Sequence, residues 1–242
     1  VALAFAVVAA SAASARAEDL VVYCGVQEEW CQAMMNAFTK ETGIKVAMTR
    51  KSAGETYAQV KAESANPKGD LWWGGTGDAF LQAAEDGLLA EYKSAKLSEL
   101  HPWAQRQAAD SGYKAVGIYA GGLGFAINTE MLAKRKAKEP ACWADLVKPE
   151  YKGEIQIANP NSSGTAYAAI ATLIQLFGEN PAYDYLKQLH TNVGQYTKSG
   201  AAPAVAVGRG EASIGVVFMH DAVVQTINGF PVKTIAPCEG TG

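Results

Sequence analysis

The sequence lacks the short signatures on which most catalytic chemistry rests. Its three histidines are dispersed, and no H-x-x-x-H spacing offers a catalytic zinc two ligands on one helix face. There is no G-x-S-x-G turn to expose a serine nucleophile and no G-x-x-x-x-G-K-[ST] loop to wrap a nucleotide phosphate. The stretch "GGTGDAF" contains G-x-G, but Phe80 stands where a dinucleotide site needs its third glycine, and the segment follows the third strand-like run rather than the first. No cofactor is therefore expected, and a secreted hydrolase or transferase lacks its nucleophile–base pair. Basic excess is missing too. A net charge of −3 makes no electrostatic case for nucleic acid or an anionic membrane as partner, so any anion must be captured locally. Beyond residue 17 no apolar run is long enough to span a bilayer.

What is present suits a globular chain with a sizeable core: 242 residues, 49% apolar and 19% charged, enough for one large domain or two lobes of roughly 100–120 residues. The opening "VALAFAVVAASAASARA" differs from the rest. An apolar stretch leads into small residues ending at Ala15-Arg16-Ala17, an A-x-A signal-peptidase pattern, so export with cleavage before Glu18 is expected. Without an initiator Met or a basic flank, the sequence is read as starting inside that signal. In an oxidising compartment the four cysteines allow three pairings. Cys24 closes the first strand and Cys31 falls one to two turns into the next helix, so a local bridge is sterically allowed. That leaves Cys142 for Cys238, and both bridges read as structural.

The mature chain alternates strands and helices. "DLVVYC", "IKVAMT" and "DLWWGG" read as strands, each followed by a helix; the first carries Trp30, Met34, Ala37 and Phe38 on one face, and the third is capped by Thr76 or Asp78 and stopped by Gly87. "YKAVGIYAGGLGFAIN" then holds two strand-like runs around Gly121-Gly122. A second series follows: "GEIQIA", a helix opening at "NSSGT", a helix capped by Asn180-Pro181, then "EASIGVVFM", "HDAVVQTIN" and "FPVKTIA". Repeated βα units imply parallel sheets covered by helices. The expectation is two α/β lobes, residues 18–120 and 121–236, with a glycine hinge at about 119–125 and a return segment beginning at 237–242. With few strands in the first lobe and the last residues following a strand, further chain is expected to complete that lobe.

In open α/β sheets ligands bind beyond the carboxyl ends of the strands, where helix starts present free N–H groups. Those loops supply the candidates Ser52, Gly54 and Thr76 in the first lobe, and Ser162, Ser163, Gly164, Thr165, Ser199, His220 and Asp221 in the second. Each has an ordinary explanation: Ser163 or Thr165 is a good N-cap, Asp221 a first-turn acid, and Arg50-Lys51 a solvated basic pair. Of Trp72 and Trp73, alternation sends one into the core and leaves the other for the cleft. The coincidence of these loops at one edge is what favours a ligand site.

The segments "VVYCGVQEEWCQAMMNAFTKETGIKV", "GDLWWGG", "GIYAGGLGFAINTEML", "CWADLVKPEYKGEIQIANPNSSGTAY", "GRGEASIGVVFMHDA" and "APCEGTG" resemble, in this order, the periplasmic solute-binding proteins of ABC importers. The similar branch is the ferric-iron-binding-like group of the two-lobed type II fold, α/β with mixed, mostly parallel sheets joined by a hinge. The resemblance implies a periplasmic, non-catalytic monomer that hands a small solute to an inner-membrane ABC permease. Iron binders of this group present two adjacent tyrosines where this chain has Phe218-Met219-His220-Asp221, which removes two strong hard-anion ligands. The His-Asp pair and Glu239 are more similar to the branch binding hexose phosphates or phosphonates. That carry-over makes Ser162 to Thr165 and Ser199 the phosphate cradle, faced by Ser52, Gly54 and Thr76, with His220, Asp221 and Glu239 addressing the other end. Ferric iron and a polyamine are the alternative solutes.

Overall fold

The computed structural model describes residues 19–241; the expected signal segment lies outside the described residues. Two sheets form. In the first, β1 (Leu20–Cys24), β2 (Val46–Arg50) and β3 (Leu71–Trp73) run parallel in the order β2-β1-β3. The connecting helices are α1 (Glu28–Thr42) and α2 (Ala53–Ala62), with α3 (Gly77–Glu85) and α4 (Pro102–Asp110) following β3. Gly43 ends α1 at φ 76°, a left-handed turn that glycine adopts without strain. Thr76 is the N-cap of α3, as its sequence suggests.

The second sheet contains β4 (Leu123–Asn128), β5 (Ile155–Ala158), β6 (Val193–Thr197), β7 (Ile214–Phe218) and β8 (Val232–Ile235), in the order β6-β5-β7-β4-β8. β5 runs parallel to β6 and β7, and β4 antiparallel to β7 and β8. The helices are α5 (Thr129–Arg135), α6 (Gly164–Phe177), α7 (Glu179–Asn192), α8 (Ala202–Arg209) and α9 (Met219–Ile227). Every residue of β4 is buried because its alternate side chains enter two different cores. Leu123, Phe125 and Ile127 join Trp143, Leu146, Tyr151, Ile155 and Leu173. Ala126 packs with Ala204, Val207, Val217 and Ala222 on the side of α8 and α9. Each large side chain buried here contributes about 1.5–3 kcal/mol. The first lobe's core is smaller, with Cys24, Val26 and Cys31 packed against Trp30, Met48 and Trp73.

Both expected disulfides are present. Cys24–Cys31 staples β1 to α1, and Cys142–Cys238, separated by 96 residues, ties the turn before β5 to the segment after β8. Other expectations need correction. Of the two runs flanking Gly121-Gly122, only the second is a strand; Tyr119 instead receives the Gly75 N–H on its hydroxyl at 2.9 Å, holding the first run against the β3–α3 turn. The helix assigned to an Asn180-Pro181 cap starts at Glu179 behind Gly178, which leaves Pro181 within the first turn. On α1 the buried positions are Cys31 and Met35, the first of them in the disulfide, whereas Met34 is half exposed.

Candidate functional site

The carboxyl ends of the two sheets face each other, and helix starts converge there. A cavity of about 50 Å³ lies between them, lined from the first lobe by Gly25, Val26 and Gln27 before α1, Arg50 at the end of β2, Ser52 and Ala53 opening α2, and Gly75 and Thr76 before α3. Tyr119 closes one side. The second lobe contributes Ser163, Gly164 and Thr165 at the start of α6, Gly200 and Ala201 before α8, and Phe218, His220 and Asp221 at the start of α9. A local rule explains why these residues lie together: a parallel strand feeds its helix at its carboxyl end, so each βα turn falls on the same edge. Helix starts carry partial positive charge, which an anion neutralises.

At the α6 end the packing is close. Ser163 is the N-cap but makes no side-chain capping bond. A methyl group added to Gly164 would lie 2.0 Å from Thr76 Oγ1, so the start of α6 rests directly on the first lobe. One added to Gly200 would meet Thr165 Oγ1 at 2.1 Å and Ser163 Oγ at 2.8 Å, so both hydroxyls converge on that turn. Thr76 Oγ1 is fully buried without a partner. Arg50, the single cation in the lining, donates from Nε to Val26 O at 3.2 Å and from Nη2 to Ser199 Oγ at 3.0 Å.

The α9 end differs in chemistry. Asp221 is buried and receives a hydrogen bond from Gln27 Nε2 across the cleft. Burial pushes its carboxyl up to about 6, against the opposing pull of the Gln27 bond and of Arg50. His220 lies between Phe218, whose ring is stacked at 5.6 Å, and Trp30 at 5.2 Å; burial among them lowers its pKa and favours the neutral imidazole.

Among the sequence candidates, Ser52, Thr76, Ser163, Gly164, Thr165, His220 and Asp221 line this one cavity. Ser199 stands behind it as the acceptor for Arg50. Gly54 and Ser162 lie at the rim instead: Gly54 N donates to Ser162 O at 3.2 Å, and Ser162 Oγ donates to Lys198 O at 2.8 Å. They join the lobes, as does the Lys198–Glu55 ion pair at 2.5 Å. Glu239 lies away from the cavity lining, where its carboxylate accepts from the N–H groups of Trp143 and Ala144 at 2.8 and 3.0 Å. Neither tryptophan of β3 lines the cavity. Trp72 packs on Phe80 with ring centroids 4.2 Å apart, and Trp73 packs beside the Cys24–Cys31 bridge. Sequence reasoning placed Arg50 and Gln27 in loops at this edge without making them site residues, and took Tyr119 for part of a strand. For the first two, their place at the carboxyl ends of β2 and β1 was the available signal. Among the described residues, Cys142, Cys238 and Glu239 are grouped closely enough for a metal, but both sulfurs are committed to the disulfide.

The site is a cleft between two α/β lobes, walled by helix starts and hydroxyls. Residues 66–241 match the bacterial extracellular solute-binding protein family, and the chain belongs to it. It is 49% identical over 224 residues to an uncharacterized protein of Haemophilus influenzae, covering 92% of this chain and 65% of that protein. It is 30% identical over 211 residues to the Fe(3+)-binding periplasmic protein of Serratia marcescens, covering 87% and 60% respectively. The solved structure of the periplasmic binding protein AfuA from Actinobacillus pleuropneumoniae, with exogenous fructose-6-phosphate bound, is similar at 44% identity with a TM-score of 0.86, over 93% of this chain and 70% of that one. The chain thus spans less than two thirds of the length of these curated relatives.

Proposed function

We propose that the protein is the periplasmic binding component of an ABC importer and that it captures a small phosphorylated solute, such as a hexose phosphate or a phosphonate, by its phosphate. The observation that carries this reading is the buried, unpartnered Thr76 hydroxyl facing the start of α6, beside Ser163 and Thr165 and in a cavity whose single cation is Arg50. A hydroxyl in that position is left without a hydrogen bond unless a ligand supplies one. Phosphate oxygens accept from hydroxyls, backbone N–H groups and guanidinium alike.

The magnitudes suffice. Charge-assisted hydrogen bonds contribute about 1.5–3 kcal/mol each, so four or five, less the ordering costs, reach the ~8 kcal/mol of micromolar binding. Hinge motion about residues 119–125 would close residues 18–120 onto 121–236, and the closed form is what an inner-membrane permease would recognise from a monomeric carrier. The similarity to the AfuA structure supports a sugar phosphate. A thermal-shift comparison of the full-length protein with glucose 6-phosphate, 2-aminoethylphosphonate, putrescine and Fe(III) tests the reading. Stabilisation by a phosphorylated solute is expected; a shift with Fe(III) or putrescine alone contradicts it.

A further inference from the structure

One buried polar atom of the cavity belongs to neither the phosphate cradle nor the contacts between the lobes. Gln27 Oε1 is fully buried and has no partner. Its orientation follows from chemistry: a carboxylate only accepts, so the Gln27 amide must turn its NH2 to Asp221 and its carbonyl oxygen elsewhere. Gln27 lines the cavity with Asp221 and His220, while Thr76, Ser163 and Gly164 gather around the α6 start.

Resting on the phosphate reading above, we propose that Gln27 recognises the end of the ligand remote from its phosphate, with Oε1 accepting a hydrogen bond from a ligand hydroxyl and so selecting sugar phosphates over phosphorylated amines. The lining's single carboxylate, Asp221, already accepts from the Gln27 amide. A neutral His220, held between Trp30 and Phe218, offers one donor and one acceptor. A hydroxyl can satisfy both Gln27 and that donor, because it donates and accepts; an ammonium only donates. A buried pair of groups that needs both a donor and an acceptor from the ligand discriminates against one that supplies only donors.

The test is titration calorimetry on the full-length protein and its Gln27→Leu variant, using glucose 6-phosphate, fructose 6-phosphate, their monodeoxy analogues and 2-aminoethylphosphonate. Gln27→Leu should weaken binding of the preferred hexose phosphate by about 10- to 100-fold. For one monodeoxy analogue, the variant and the wild type should bind alike within about twofold, because the hydroxyl that Gln27 accepts is already gone. Gln27→Lys, which still donates to Asp221 but accepts nothing, should show the same pattern. An unchanged affinity, or an equal loss on every analogue, overturns the assignment and leaves Gln27 as a contact between lobes only. Wild-type binding of 2-aminoethylphosphonate without any hexose phosphate overturns the sugar selectivity while sparing the phosphate reading. Failure to bind any phosphorylated solute overturns both.

Discussion

Replacing Gly164 by alanine separates ligand capture from folding. The added methyl would lie 2.0 Å from Thr76 Oγ1 and 3.0 Å from both Thr76 Cβ and Cγ2. Rotating the threonine leaves its Cβ in place, so the start of α6 and the start of α3 must move apart by roughly 1 Å to restore van der Waals contact. Within its own lobe the change is favourable or neutral, since alanine exceeds glycine in helix propensity by up to about 1 kcal/mol. The cost therefore falls on closure. A displacement of that size takes the cradle hydroxyls on one lobe out of hydrogen-bond range of a phosphate held by the other. Losing two charge-assisted bonds removes about 3–6 kcal/mol, or roughly 10²- to 10⁴-fold in affinity. Calorimetry with the preferred hexose phosphate measures that loss, and thermal unfolding without ligand should show no fall in Tm. Adding Thr76→Gly should restore closure but not the Thr76 hydrogen bond, for a partial rescue. Unchanged affinity in Gly164→Ala would refute the placement of phosphate between these two helix starts.

Other perturbations address separate parts of the account. Ser163→Asp places a carboxylate among the cradle hydroxyls, and hexose phosphate binding measured by calorimetry should fall at least 100-fold, on the scale of about 3 kcal/mol for a buried like-charge contact. Asp221 has a folded pKa of about 6, raised from 3.8 chiefly by burial, so its ionised form opposes the closed structure. The stability it forfeits is retained below about pH 4 and lost as pH rises through 6, a difference of ~1–3 kcal/mol. Asp221→Asn should accordingly raise Tm relative to wild type at pH 7.5 and leave it unchanged at pH 4; equal shifts at both pH values would contradict this. Replacing Cys142 and Cys238 by serine opens a loop of 96 residues, against 7 for Cys24 and Cys31. Loop entropy makes the first loss larger by about 2 kcal/mol, which differential scanning calorimetry resolves as a lower Tm.

The fold was largely legible because its strands and helices follow simple periods and each βα turn falls on the same sheet edge. That edge holds Ser52, Thr76, Ser163, Gly164, Thr165, His220 and Asp221, which line the cavity, and also Gly54, Ser162 and Ser199, which do not. What the sequence hid was tertiary. Arg50 reads as half of a solvated basic pair, and only folding brings Ser199, 149 residues away, under its guanidinium. Gln27 looks like an ordinary residue ahead of a helix until Asp221 meets it from the other lobe. Glu239 differs: the family resemblance suggested a ligand contact, yet beside the Cys142–Cys238 bridge its carboxylate accepts from the N–H groups of Trp143 and Ala144. Tyr119 sits in a run patterned like a strand, but its hydroxyl bonds to the Gly75 backbone and fixes that run as a crossover.

The central claim is that a phosphate is held between α3 and α6, and the most direct measurement is the affinity of the full-length protein for glucose 6-phosphate and for glucose. Micromolar or tighter binding of the phosphorylated sugar, with no measurable binding of glucose itself, is the predicted result. Equal affinity for the two sugars, or binding of neither beside a strong Fe(III) titration, would contradict it.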